Sequence, residues 1–284
     1  MSGGIGFLRQ KILLQALSTR CTYVKLLKYI YLHTIENTLF IGKVIQHFET
    51  IESTNAYAIN LVSKSNPSEG TVISAYSQTH GRGQIGSKWQ SEPGMNLTLS
   101  VILFPSFLQA TQQFLLNQAI ALGVYDFLSQ LLPTDLTLKW PNDIYYKKRK
   151  LGGILLQSGL KGQQLLWCVA GIGINVNQTS FDKELPNPTS LQLIGHKNVE
   201  IVTLLPQLCQ HLEFRYLQLR NGQHDKIKAD YLQCCYRYME EHLFERPSGE
   251  IFAGKITGVN PIGKLLITHQ NGEEAFGMKE VRFV

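Results

Sequence analysis

The stretch Gly81-Arg82-Gly83-Gln84-Ile85-Gly86-Ser87-Lys88-Trp89 constrains this chain most, because it lies between two runs that read as buried strands, Thr71 to Tyr76 and Leu97 to Phe104. A sheet must therefore release and take back the chain around a glycine-rich loop. Glycines let backbone approach a bound group closely, and Arg82 and Lys88 add cationic donors beside it. An anion is the natural guest, and the flat ring of Trp89 can cover an apolar or purine ring or fill core. A hairpin tip with no ligand has the same composition. The loop is neither a Walker A loop, since no Gly-Lys-Ser/Thr closes it, nor a dinucleotide fingerprint, since a strand follows it.

With 284 residues, 44% hydrophobic and 17% charged, the chain has ample material for a core, as one large or two modest domains. No apolar run reaches the ~18 residues of a membrane span. Cys21, Cys168, Cys209, Cys234 and Cys235 form no CxxC pair and have no metal-like spacing to histidine, which fits a reducing compartment and a cytoplasmic protein. The net charge of +6 gathers at the start: Arg9, Lys11, Arg20, Lys25 and Lys28 precede the first acid, and the remaining chain is close to balance. The charge therefore marks a basic leader over 1–36, a targeting segment or untranslated stretch, rather than a nucleic-acid surface, and too short for a DNA-reading helix-turn-helix domain.

Along the chain, Phe40 to Phe48 alternates as a strand, and Ser53 or Thr54 is placed to cap a helix over the following apolar residues. Gln112 to Leu132 has helical periodicity, with Phe114, Ala121, Tyr125, Leu128 and Leu132 on one side as a sheet-covering face. Three strands, Leu136 to Trp140, Leu151 to Ser158 and Gln164 to Asn175, form an antiparallel meander. Thr203 caps a helix to about Leu219, and a second spans Asp225 to Tyr236. From Leu243 the pattern changes to short strands broken by glycines, Glu250 to Thr257, Lys264 to His269, Glu274 to Gly277 and Val281 to Val284, as in a small barrel.

Two further stretches bear chemistry. In Lys139-Trp140-Pro141-Asn142-Asp143 the proline ends a strand, Asn142 can read a polar edge, and Asp143 offers a carboxylate to Mg²⁺ or a ribose. Lys150 precedes Gly152 and Gly153 and can extend an ammonium into a cavity, or belong to a solvated Lys-Lys-Arg-Lys turn. Gly171 and Gly173 open room beside a strand that ends at Asn175.

The ordered set of Ser53-Thr54-Asn55, Gln78 ahead of GRGQIGSKW, KWPND, KLGGIL and GIGINVN resembles the catalytic domain of biotin protein ligases, and Gly254 to Val284 looks like that family's small C-terminal cap. The resemblance implies an α+β fold with a class II synthetase-like mixed and antiparallel sheet, flanking helices and a small SH3-like β-barrel. It implies a catalytic domain over 37–238 and a cap over 239–284. It further implies that biotin and ATP become biotinyl-5′-adenylate, and that biotin passes to a lysine of a biotin carboxyl carrier domain of a carboxylase. On the same resemblance Lys150, Arg82 and Asp143 are catalytic. Ser53, Thr54, Asn55, Gln78, Gly81, Arg82 and Lys150 hold biotin. Arg82, Gly83, Gln84, Gly86, Trp89, Lys139, Asn142 and Asn175 hold the nucleotide, and Asp143 takes Mg²⁺.

The chain departs from the commonest form of the glycine loop, which has arginines where Gln84 and Ser87 stand. A charge-assisted contact of ~1.5–3 kcal/mol becomes a neutral one near ~1 kcal/mol, so the loop should grip an adenylate less firmly. The alternatives are a lipoate or octanoate ligase or transferase, and a non-catalytic biotin-binding regulator. No nucleic acid or membrane partner is expected, and the protein is a monomer or homodimer.

Overall fold

A computed structural model describes residues 35–84 and 86–284. The basic leader lies outside the described residues except for Ile35 and Glu36. Ile35 is buried in the main core, and its N–H donates to Gly42 O at 3.1 Å.

The elements in chain order are β1 (Ile45–Ile51), α1 (Thr54–Lys64), β2 (Val72–Gln78), β3 (Asn96–Leu103), α2 (Gln113–Ser129), β4 (Leu136–Lys139), β5 (Asp143–Tyr146), β6 (Arg149–Lys161), β7 (Gln164–Asn175), α3 (Leu191–Ile194), α4 (Leu204–Arg220), α5 (His224–Gln233), β8 (Glu241–Glu245), β9 (Ile251–Val259), β10 (Leu265–His269), β11 (Gly272–Phe276) and β12 (Arg282–Phe283). A seven-stranded mixed sheet runs β1-β2-β3-β7-β6-β5-β4, parallel only between β1 and β2. A second, five-stranded antiparallel sheet runs β11-β10-β9-β8-β12.

The alternation of β3 explains how the large sheet is covered on both faces. Leu97, Leu99, Val101 and Leu103 enter one core beneath α2, α4 and α5, whereas Ile102 joins Phe48, Ala58, Ile73 and Val169 in a smaller core under α1. The one-sided stripe expected for α2 is not what is found. Leu115, Leu116, Ala119, Ile120, Leu122, Val124, Phe127 and Leu128 are all buried, because the helix is covered by α4 and α5 as well as by the sheet. Gly123 permits that contact: a Cβ there would lie 2.9 Å from Leu212 Cα.

Several sequence expectations shift. The strand expected from Phe40 begins only at Ile45, since residues 39–41 form a turn whose N–H groups donate to the buried Glu213 carboxylate at 2.6–2.9 Å. These are charge-assisted bonds of about 1.5–3 kcal/mol each, and they outweigh a local strand pattern. The meander contains an additional strand, β5, formed by Asp143-Ile144-Tyr145-Tyr146 pairing back onto β4 and forward onto β6. Thr203 occupies the N-cap position of α4, but its hydroxyl donates back to Glu200 O at 2.7 Å and makes no side-chain cap. In the second sheet β8 precedes the expected strands, because Phe244 is fully buried on its core face.

The second core contains Phe244, Ile256, Leu265, Ile267, Phe276 and Val281, together with Trp140 from the turn after β4. One aromatic side chain of the large sheet is thus packed in the small one.

Candidate active site

A cavity of about 220 Å³ opens on the α1 face of the large sheet. Its floor is cleared by the strand period of two: Gly171 and Gly173 lie on that face of β7, while the intervening Ile172 packs in the opposite core. Part of the room is taken by side chains from other elements. A Cβ at Gly171 would sit 2.6 Å from Asn55 Nδ2, and one at Gly173 only 2.4 Å from the Trp89 ring.

The first turn of α1 forms one wall. Ser53 is the N-cap and accepts from Ala56 N at 3.4 Å. Thr54 N donates to Gln78 Oε1 at 2.8 Å, and Ser100 Oγ donates to Thr54 Oγ1 at 2.9 Å. Asn55 is 3% exposed and spends its amide nitrogen on Leu155 O at 3.4 Å. Its Oδ1 is buried with no hydrogen-bond partner, as is the Trp89 indole N–H. An unmet buried polar atom costs about 1–3 kcal/mol, so a donor reaching Asn55 Oδ1 or an acceptor reaching the Trp89 N–H would be favoured there.

The opposite wall is charged. Lys150 Nζ lies 2.7 Å from Asp143 Oδ1, both side chains about one third exposed or less. The pair is fixed by β5 and β6, and by residues 187–189: Lys150 N donates to Asn187 O and Thr189 N to Lys150 O, each at 2.9 Å. Gly153 lies against the pair, a Cβ there falling at ordinary contact distance, 3.5 Å, from Lys150 Nζ. Asn142 is anchored in both directions to Ile154, its own amide donating to Ile154 O while Ile154 N donates to Asn142 O at 3.0 Å. The glycine loop closes the mouth through a bridge between Arg82 and Lys88, with Gly83 N on Ser87 O at 3.1 Å.

Of the residues expected at the site, Ser53, Thr54, Asn55, Gln78, Arg82, Gly83, Gln84, Trp89, Asn142, Asp143 and Lys150 line this cavity together. Four do not, each for a local reason. Gly81 closes the base of the loop: it accepts from Trp89 N at 3.0 Å, and a Cβ would strike Trp89 O at 2.3 Å. Gly86 faces a second, larger cavity. Asn175 shares the face of Gly171 and Gly173 but donates to Thr189 O at 2.9 Å. Lys139 directs its ammonium at the rings of Tyr145, 4.8 Å away, and Phe283, 4.7 Å away. Burial there lowers its pKa, Lys150 and Arg237 adding to the effect and Asp143 opposing it. The sequence pattern put Lys139 and Asn142 in one motif. A turn between them sends the two to different places.

The larger cavity, of about 680 Å³, shares Arg82, Gly83, Gln84, Pro141, Asn142 and Leu155 with the first and continues toward α2 and the second sheet. Of its apolar rim, Phe114 was legible only as part of a sheet-covering helix face, and Ile262, Met278 and Gln157, whose Oε1 is buried without a partner, did not stand out in the sequence. Their positions depend on the docking of the second sheet, which has no local signature.

The site is a polar-walled pocket with a lysine–aspartate pair beside a glycine loop, an arrangement that can take a small anionic ligand. Residues 47–175 match the biotin/lipoate A/B protein ligase family. The bifunctional ligase/repressor BirA of Bacillus spizizenii is 30% identical over 239 residues, 83% of this chain and 72% of the relative. A biotin–[acetyl-CoA-carboxylase] ligase of Mycobacterium tuberculosis is 28% identical over 218 residues, covering 76% of this chain and 79% of its own length. The biotin protein ligase from Aquifex aeolicus, solved in complex with biotin and ATP, superposes with a TM-score of 0.70 at 26% identity over 84% of this chain and 99% of that one. The chain belongs to the biotin/lipoate A/B protein ligase family, and within it to the biotin protein ligases.

Proposed function

We propose that this enzyme activates biotin with ATP and transfers it to a lysine of a biotin carboxyl carrier domain of a carboxylase. The observation that carries the choice of acid is the unmet, buried Asn55 Oδ1 beside Ser53 and Thr54. The ureido ring of biotin has N–H donors that can meet this acceptor, whereas the dithiolane and alkyl chain of lipoate have none, so the acceptor favours biotin over lipoate or octanoate. The intact Lys150–Asp143 pair and Arg82 speak for catalysis over a binding-only regulator.

In the first step a biotin carboxylate oxygen forms a bond to the α-phosphorus, and the bond to the bridging oxygen breaks to release pyrophosphate. Two anions must meet, so cations have to offset their repulsion. Lys150 lines the smaller cavity and Arg82 lines both, and these are the cations proposed for that task. Gln78 serves through Thr54, whose N–H it holds. Trp89 and Asn142 border the phosphate and sugar side. In the second step the acceptor amine bonds to the acyl carbon, the carbon–oxygen bond of the acyl phosphate breaks with its electron pair leaving on AMP, and the amine loses a proton to give the amide. Asp143 is the carboxylate among the described cavity residues, and a lone carboxylate with substrate phosphates is a donor set suited to Mg²⁺. Mg²⁺ would supply charge neutralisation at the phosphates, and Asp143 would hold it in exchange for its bond to Lys150.

The division into a catalytic domain up to about 238 and a cap beyond it follows the two sheets, and the cap is proposed as an SH3-like barrel on a synthetase-like domain. No helix among the described residues is long and apolar enough to cross a membrane, and a reaction using ATP and a carrier domain goes with a cytoplasmic place of work. The test is ATP–pyrophosphate exchange with Mg²⁺, dependent on biotin and run beside lipoate. Exchange with biotin alone is expected. Exchange with lipoate, or with neither acid, would overturn the reading.

A further inference from the structure

Trp140 belongs to the large sheet by its place in the chain and to the second sheet by its burial. It is 6% exposed in the core formed by Phe244, Ile256, Leu265 and Ile267, and its indole N–H donates to Gly263 O at 3.0 Å. The preceding Lys139 leans on Phe283 of the same sheet. The following Pro141 is held from the other side, its carbonyl accepting from Asn117 Nδ2 at 2.8 Å and Tyr231 Oη at 3.4 Å. Gly263 in turn lies against Phe114, since a Cβ at that positive-φ position would be 2.7 Å from the ring. Trp140 itself lines neither cavity, yet the next residues, Pro141, Asn142 and Asp143, line the smaller one, and Pro141 and Asn142 line both.

We propose that Trp140 is a positioning residue for adenylate formation: seated in the second sheet, its indole sets where Asn142 and Asp143 stand, so the second sheet acts on the ATP side of the site. This rests on the function proposed above. The biotin wall is built differently. Ser53, Thr54, Asn55 and Gln78 are held by α1, β2 and β3, none of which contributes to the second core. Disturbing Trp140 must therefore separate two properties that a general loosening would damage together. Lys279, in the turn between β11 and β12, also approaches the glycine loop, its Nζ lying 3.6 Å from a Cβ built on Gly86, so the region of the second sheet meets the loop at a second point.

The experiment uses the full chain with Trp140→Leu and Trp140→Phe. Biotin affinity is measured by calorimetry without nucleotide, pyrophosphate exchange is measured with ATP varied, and melting temperature is recorded. Trp140→Leu is expected to lose about tenfold or more in kcat/KM for ATP, since small misplacements are costly, with biotin affinity within about twofold of the parent. Trp140→Phe, which keeps a ring but not the donor, is expected to recover part of the loss, and it decides alone if the leucine variant does not fold. Unchanged exchange in a folded variant, or biotin affinity falling in step with exchange, overturns the proposal. Absence of biotin-dependent exchange in the parent chain would instead sink the function on which it rests.

Discussion

The glycine loop and the turn at 139–143 face each other across one cavity, and they are made in opposite ways. The loop is held by its own backbone: Trp89 N on Gly81 O, Ser87 N on Gln84 O, and the Arg82–Lys88 bridge, with Arg82, Gly86, Ser87 and Lys88 exposed. The turn is held by other elements, with Trp140 in the second core, Pro141 O taken by α2 and α5, and Asn142 locked to β6. Few buried contacts mean low local stability, many mean high. The comparison teaches a division of labour: the turn holds a charge constellation fixed by several elements, and the loop is held chiefly by its own backbone bonds.

The largest effect should come from the fixed half. Lys150→Ala is expected to slow biotin-dependent pyrophosphate exchange by ~10²-fold, as for loss of one transition-state donor, at saturating biotin and ATP. Because the pair is partly exposed, its loss should cost folding stability less than about 1 kcal/mol. Exchange within about threefold of the parent would remove Lys150 from its role and the contrast with it.

An intermediate effect tests the soft half. Gly173→Ala drives a Cβ into the Trp89 ring, which must swing off the sheet and take the loop's closing end with it. A loop tied mainly to itself should absorb that at a cost of about 1 kcal/mol or less in chemical denaturation, while releasing the bound adenylate roughly tenfold faster in a single-turnover chase. If the variant loses several kcal/mol of stability with normal adenylate retention, the loop is the rigid member.

The smallest effect concerns Lys139, buried charge in the tightly packed half. Burial lowers its pKa, so between that value and its ordinary value near ~10.4 the unfolded chain binds more protons than the native one. Native stability must then rise with pH across this window. Lys139→Met, which has no such proton, should melt about 2 °C higher than the parent at pH 7, and the difference should close toward pH ~10.5. A gap that widens with pH would mean that the aromatic rings around Lys139 favour its charge more than burial opposes it.

Much of the large sheet was legible from residues. β2, β3, β6 and β7 fall within three residues of the expected runs, because each carries a run of apolar residues in its buried part. β5 was not, since Asp143-Ile144-Tyr145-Tyr146 is short and follows a proline, and only pairing on both sides makes it a strand. The cavity's polar wall was readable as a helix start after a strand, and its glycines as missing side chains. Lys139 and Asn175 were assigned by motif neighbourhood, but a motif does not say which way a side chain leaves the chain. Their amine and amide are taken by Tyr145, Phe283 and Thr189 instead.

By itself the sequence determined the chemistry available to this protein: which strands are buried, where glycines remove side chains, and which cations and carboxylate stand near the sheet's ends. Those are local properties, set by period, side-chain size and charge. The tertiary structure alone decided that Lys150 meets Asp143, that Asn55 keeps an unanswered acceptor in the cavity, and that Trp140 leaves its own sheet for another. These depend on packing between segments far apart in the chain, where the burial of one apolar ring or the partner of one amide is settled by what the rest of the fold brings to it.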